Sequence, residues 1–220
     1  MSVAPRTEFE VENLLAEAEA SPASIIEVRL DSLTSNPASV RRAMDQMRLT
    51  KPLVLTVSDE PLIGFGRVKQ GHDALRVLAD LAQYVDAPAV IDELGATGFF
   101  GGARLIRSKH FPRSLTFEEG LSVLEELRRN RCDLVKMVFM AENIRDNLVA
   151  MKLASSVNFP NIVFCMGELG LLSRVMAPIC GSEWTYASLK KGLETASGQI
   201  DVQTLTEIYT ALERKQNCEV

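Results

Sequence analysis

The chain has 220 residues, 46% of them hydrophobic, and a formal net charge of −5. That is enough chain to bury one sizeable α/β core. The acidic balance, with no basic block, argues against nucleic acid as a partner, and the absence of an apolar run near the ~18 residues of a spanning helix argues against a membrane.

Taken in chain order, short apolar runs alternate with amphipathic segments. Eight runs read as strands: 25–30, 53–57, 89–94, 105–108, 133–139, 161–166, 175–180 and 185–188. Helical spacing of apolar residues marks 11–20, 37–47, 75–84, 141–155 and 205–215. Thr116 and Glu119 form a capping-box pattern ahead of Leu121, Leu124 and Leu127. Continuously apolar strands alternating with helices imply a parallel sheet covered by helices. About eight such repeats predict a single (β/α)8 TIM barrel formed by one domain over 1–220. A doubly wound open sheet is the other option, but no strand leads into G-x-G-x-x-G or a phosphate-binding loop. Cys132, Cys165, Cys180 and Cys218 have no metal-ligand spacing, so no metal is expected. The first three lie in or beside apolar runs and read as reduced thiols of a cytoplasmic protein. The polar, acidic residues 1–10 do not resemble a signal peptide.

In a barrel, functional groups gather at the carboxyl ends of the strands. The first predicted strand ends Glu27-Val28-Arg29-Leu30-Asp31, and alternation puts its three charged residues on one face. They read equally as a structural ion network or as a site. The third strand ends Asp92-Glu93, the fourth Ser108-Lys109-His110-Phe111, and the sixth Met166-Gly167, ahead of Ser173-Arg174. Lys136 interrupts the apolar run Asp133 to Phe139. Burial there would lower its pKa and leave neutral amine able to form an imine with a carbonyl. A lysine whose stem snorkels outward is the ordinary alternative. His110, one strand away, reads either as a hydrogen-bonded structural residue or as a proton-transfer partner for that amine, with Glu93 positioned to fix its tautomer. His72 is given no role.

These motifs, in this order, resemble type I 3-dehydroquinate dehydratase, the Schiff-base dehydroquinase of the shikimate pathway. The resemblance spans about 25–200. It rests on Glu27-Val28-Arg29-Leu30-Asp31 (E-x-R-x-D), Ser108-Lys109-His110 (S-x-H), Asp133 to Lys136 (D-x-V-K), Met166-Gly167 through Ser173-Arg174 (M-G-x-x-G-x-x-S-R), Gly181-Ser182 with Thr185-Tyr186, and Ala196 to Gln199. It implies a cofactor-independent hydro-lyase acting on 3-dehydroquinate. Lys136 would form the imine, His110 would move protons and Glu93 would orient His110. Glu27 and Arg29 would bind ring hydroxyls, and Met166 would form an apolar wall. Arg174 would clamp the carboxylate, while Thr195 and Gln199 would close over the ligand. It also implies a homodimer. Ser58 stands where the family has a substrate-contacting arginine, and Arg67 is a candidate replacement. Two other readings are a class I aldolase-like enzyme on another keto substrate and a carboxylate-binding relative without turnover.

Overall fold

A computed structural model describes residues 1–58, 65–86, 102–129 and 132–216, apart from the side chains of 65–68, 215 and 216. Seven strands form one sheet in chain order, every neighbouring pair parallel. They are β1 (Ser2–Val3), β2 (Ile26–Arg29), β3 (Leu53–Thr56), β4 (Tyr84–Asp86), β5 (Arg104–Phe111), β6 (Leu134–Met140) and β7 (Asn161–Met166). The helices are α1 (Glu8–Ala20), α2 (Pro37–Asp45), α3 (Phe65–Leu78), α4 (Phe117–Arg129), α5 (Asp146–Ser156), α6 (Leu171–Met176) and α7 (Val202–Gln216). Past β7, Glu183 N–H donates to the Asn161 carbonyl at 2.8 Å, and Ser2 N–H donates to the Ala187 carbonyl at 2.9 Å. Ser188 also bridges Ser2 and Asp201. Residues 183–188 therefore touch both β7 and β1, but by isolated bonds. Among the described residues the architecture is a seven-stranded parallel sheet with helices.

Local chemistry sets the helix starts. The Thr7 hydroxyl accepts from Glu10 N–H at 3.2 Å, and Asn36 caps α2 ahead of Pro37 by accepting from Ala38 N–H at 2.8 Å. The capping box expected at Thr116 forms in both directions: Glu119 N–H donates to Thr116 Oγ1 at 3.2 Å and Thr116 N–H to Glu119 Oε2 at 2.8 Å. Arg113 beside it, with the Thr116 amide, holds the Glu119 carboxyl down to about 2. Behind the cap, α4 packs closely on α5. A Cβ at Gly120 would sit 2.4 Å from Leu153 Cδ1, so a larger residue would push the helices apart.

Alternation along the strands gives the sheet two apolar faces. Ile26, Val28, Leu53, Leu55 and Val85 pack toward α1, α2 and α3, and Val135, Met137, Phe139, Val163 and Cys165 pack toward α4 and α5. Val54, Ile106, Leu134, Val138, Ile162 and Phe164 form a third cluster with Tyr186 on the opposite face. That face also carries the inward polar residues at the carboxyl ends of the strands.

Several sequence expectations need correction. Residues 171–176 form helix α6 where 175–180 was expected as a strand. A short apolar run does not distinguish a buried helix from a strand, and Pro178 with the positive-φ Gly181 (φ 107°) ends it. Tyr84–Asp86 is a strand, although Tyr84 was assigned to the end of a helix, and β1 was not anticipated at all. Two or three residues are too few to carry a periodic signal. The expected strand 89–94, with Glu93, lies outside the described residues, as does the side chain of Arg67. The predicted closed eight-stranded barrel is only partly realised here, since 185–188 contributes bridges and no ladder. Among the described residues no helix is long and apolar enough to cross a membrane.

Candidate active site

At the carboxyl end of the sheet a cavity of about 290 Å³ is lined by Glu27, Arg29, Thr56, Ser58, His110, Lys136, Val138, Phe164, Met166, Arg174, Tyr186 and residues 195–197 and 199. Nine of the ten predicted site residues therefore line one space, and Glu93 is the one outside the described residues. Strand alternation explains why. Glu27 and Arg29 on β2, Thr56 on β3, His110 on β5, Lys136 and Val138 on β6, and Phe164 and Met166 on β7 all occupy same-parity positions of their strands. The register places Ser108 opposite Lys136 and His110 opposite Val138. His110 thus projects from the neighbouring strand one inward position beyond the lysine.

Lys136 is buried between two carboxylates. Its Nζ donates to Asp86 Oδ2 at 2.8 Å and lies 3.7 Å from Glu27 Oε1. It also sits 4.5 Å from the centroid of the Tyr186 ring, a cation–π contact. Burial alone would push the amine's pKa down, as the sequence reading expected. The Asp86 and Glu27 charges and the Asp86 hydrogen bond outweigh it and hold the pKa well above the ordinary lysine value. This runs against the expectation of a partly neutral amine: the two carboxylates favour the charged form of Lys136.

Asp86, 1% exposed, also accepts the Ser108 hydroxyl at 2.6 Å. Sequence reasoning missed it because the strand around it is three residues long. Its signal was an aspartate closing the apolar triplet Tyr84-Val85-Asp86. Glu27 accepts hydroxyl hydrogen bonds from Ser2 and, at 2.8 Å, from Thr56. Burial pushes the Glu27 carboxyl up, but the Lys136 charge, the Ser2 hydrogen bond, Arg29 and Thr56 together leave it below the usual carboxylate range.

Two arginines face the same space in different states. Arg29 is paired with Asp31, at 2.7 and 3.2 Å, so the structural-network reading of this residue holds alongside its place in the cavity wall. Arg174, at 2% exposure, lies 4.6 Å from the Phe164 ring centroid. It donates weakly to the carbonyls of Tyr186 at 3.5 Å and Ser197 at 3.4 Å. Its Nε is buried without a partner among the described residues. Burial pushes its pKa down to about 10, the behaviour of a desolvated cation with too little negative charge beside it. A planar anion in the cavity would relieve that cost by bidentate pairing.

Residues 195–199 lie over the cavity. Thr195 N–H donates to Gln199 Oε1 at 2.8 Å, Arg29 Nη1 donates to the Thr195 carbonyl at 3.5 Å, and Gly167 N–H donates to the Ser197 carbonyl at 3.2 Å. Gly198 has φ +76°, and a Cβ there would meet the Gly167 carbonyl oxygen at 2.2 Å. Glycine is required on both counts. Ser58 is buried and its amide approaches Asp31 Oδ1 at 3.5 Å. Its short side chain leaves room where a longer one would project.

A family profile described as type I 3-dehydroquinase matches residues 1–216. The chain is 37% identical over 92 residues to a 3-dehydroquinate dehydratase of Dehalococcoides mccartyi, an alignment spanning 41% of each chain. It is 33% identical over 201 residues to that of Pyrobaculum aerophilum, covering 87% of this chain and 64% of the relative. With the Methanothermobacter thermautotrophicus enzyme it shares 31% over 199 residues, covering 86% of each. Among solved structures, the type I 3-dehydroquinate dehydratase of Clostridium difficile with covalently modified comenic acid superposes with a TM-score of 0.79 at 21% identity, covering 97% of this chain and 91% of that one. The Aquifex aeolicus 3-dehydroquinate dehydratase gives 0.76 at 23%, covering 97% and 99%. These two likenesses are in fold.

Proposed function

The chain belongs to the type I 3-dehydroquinase family, and on that premise we propose that it is a 3-dehydroquinate dehydratase, a hydro-lyase converting 3-dehydroquinate to 3-dehydroshikimate and water in the shikimate pathway. The observation that carries the proposal is a buried lysine held between two carboxylates in the cavity that also receives the under-paired guanidinium of Arg174.

Chemistry starts from the ammonium form. Nζ first passes a proton to a neighbouring carboxylate, with Asp86 at 2.8 Å the nearer. The freed lone pair attacks the C3 ketone, and loss of water, with the carboxyl returning its proton, gives the protonated imine. That cation accepts electrons as His110 removes a proton from C2, forming an enamine. The enamine expels the C1 hydroxyl, to which His110 returns the proton, and hydrolysis of the imine releases product and amine. Arg174 holds the substrate carboxylate by a charge-assisted pair. Glu27 and Arg29 take the ring hydroxyls, Met166 walls the imine, and Thr195 and Gln199 cover the ligand and exclude water. Ser58 takes a smaller part in binding than an arginine would, and Glu93 keeps its assignment as the residue that orients His110. No step calls for a metal or organic cofactor.

Three finer points belong to the same proposal. Residues 183–188 act as the eighth stave that closes the sheet into a (β/α)8 barrel. The exposed Ile144, Leu148, Leu169 and Leu172, on segments tied by Asn147 Nδ2 donating to the Ile144 and Leu169 carbonyls at 2.9 and 2.7 Å, form the face of a homodimer. The enzyme works in the cytoplasm. An aldolase-like reaction on another keto substrate is the second reading, favoured by Ser58 in place of a cation. Borohydride reduction in the presence of 3-dehydroquinate, read by mass spectrometry, tests the proposal. A substrate-mass adduct on Lys136, with growth of the product's enone absorbance before reduction, is the expected result. An unmodified Lys136 with no absorbance change would defeat it.

A further inference from the structure

Behind the amine of Lys136, three adjacent strands each bring one buried polar side chain to the same point. Asp86 closes β4, Ser108 stands on β5 opposite Lys136, and Lys136 lies on β6. All three are buried. The Ser108 hydroxyl donates to Asp86 Oδ1 at 2.6 Å, and Lys136 Nζ donates to Asp86 Oδ2 at 2.8 Å. One donor therefore sits on each oxygen of the carboxylate. Neither Ser108 nor Asp86 is among the residues that line the cavity. The other titratable groups around the pair come from three elements. Glu27 on β2 lies 3.7 Å from Nζ, and Arg29 on the same strand feels the Asp86 charge. His110 stands two residues along β5, and the Tyr186 ring centroid is 4.5 Å from Nζ.

A serine hydroxyl has one proton to give. Directed at Oδ1, it fixes the plane of the carboxylate and leaves Oδ2 as the oxygen that meets the amine. A hydrogen bond to the charged form of a carboxyl favours that form over the protonated one. We propose that Ser108 is a positioning residue that aims Asp86 at Lys136 and makes it a group that returns the amine's proton instead of keeping it. The role rests on the dehydratase reading for its consequence in turnover, but its geometry stands without it. Ser108 makes no bond to substrate, and no covalent bond changes at its oxygen. A proton leaves Nζ for Oδ2 when the amine is freed. The same proton leaves Oδ2 for the hydroxyl that departs as water when the imine forms. Without the Ser108 donor the first transfer becomes easier and the second harder, because both turn on the same O–H bond of Asp86.

The test first reads Lys136 without substrate. Competitive labelling of the full chain with acetic anhydride at neutral pH, followed by peptide mass spectrometry, reports the share of Lys136 present as free amine. Ser108→Ala should raise that share about tenfold or more, the size of one lost hydrogen bond to a charged group. Ser108→Thr keeps the hydroxyl and should return the share to the wild-type level. Ser108→Val, of nearly the same shape as Ser108→Thr, should match Ser108→Ala, so this pair carries the comparison if Ser108→Ala fails to fold. Beside Asp86→Asn the same substitution should change the share little, since the proton acceptor is gone. With 3-dehydroquinate, kcat should fall about tenfold in Ser108→Ala at unchanged KM. Labelling at the wild-type level in Ser108→Ala or Ser108→Val overturns the inference. So does an increase that persists in full beside Asp86→Asn, or a raised KM at unchanged kcat, which would mark a contact with substrate. A wild-type chain that forms neither adduct nor product from 3-dehydroquinate defeats the dehydratase reading and leaves the labelling as the judge of Ser108.

Discussion

Asp86→Asn isolates what the nearer carboxylate does for the amine. At an effective dielectric of ~20, opposite charges 2.8 Å apart attract by about 6 kcal/mol, against about 4.5 kcal/mol for Glu27 at 3.7 Å. Removing the Asp86 charge takes away more than half of that attraction. The burial penalty on the ammonium remains, so the Lys136 pKa is expected to fall by about two to four units, into an accessible range. Linkage gives the sign for stability. A lysine pKa raised in the fold contributes stability that is fully present below the unfolded value and is lost only as pH rises through the folded one. Wild type should therefore show no change from this group between pH 6 and 10, whereas Asp86→Asn should be weaker by about 2–4 kcal/mol at neutral pH and lose less stability than wild type as pH rises above the unfolded lysine value, because its folded value lies closer to it. The assay is the rate of borohydride-trapped adduct formation against pH, beside denaturant unfolding at the same pH values. The alkaline rise of the trapping rate should move to lower pH in the variant, while turnover falls by roughly 10²-fold because Nζ is no longer held in place. Superimposable trapping profiles for variant and wild type would refute the assignment of Asp86 as the group that keeps Lys136 charged.

Other substitutions probe the same machinery. Lys136→Met should abolish adduct and turnover, and it leaves Asp86 and Glu27 buried without their cation, at a cost of about 3–5 kcal/mol near neutral pH. Because the stranded carboxyls would then have raised folded pKa values, the variant should gain stability as pH falls from 7 toward 5, which thermal melts across that range would detect. His110→Ala should slow dehydration by roughly 10²–10⁴-fold yet accumulate adduct, so mass spectrometry after borohydride reduction should find more labelled Lys136 at steady state than in wild type. Gly198→Ala puts a Cβ where φ is +76° and the Gly167 carbonyl lies 2.2 Å away. The 195–199 segment should shift and KM rise by about tenfold or more, with the borohydride adduct still on Lys136.

Much of the site was legible because strand alternation is a local property. Glu27 and Arg29, two apart on one strand, can be placed on one face without knowing the rest of the fold. The capping box at Thr116 and Glu119 was legible for the same reason: both partners lie within one helical turn. Where the signal was short, reading failed. β1 has two residues and β4 three, so Ser2 and Asp86 had no period to reveal them. The apolar run at 175–180 was ambiguous between helix and strand; its first two residues end α6 and the rest forms a turn around Pro178.

By itself the sequence determined which residue types would line the carboxyl ends of the strands, since side-chain direction follows from a two-residue repeat that each strand carries within itself. The electrical state of those residues was decided only by the tertiary structure. The charged form of Lys136 is favoured because Asp86, fifty positions earlier in the chain, is brought to 2.8 Å by the pairing of β4, β5 and β6. A pKa depends on charges a few ångströms away in space, and separation along the chain does not measure that distance.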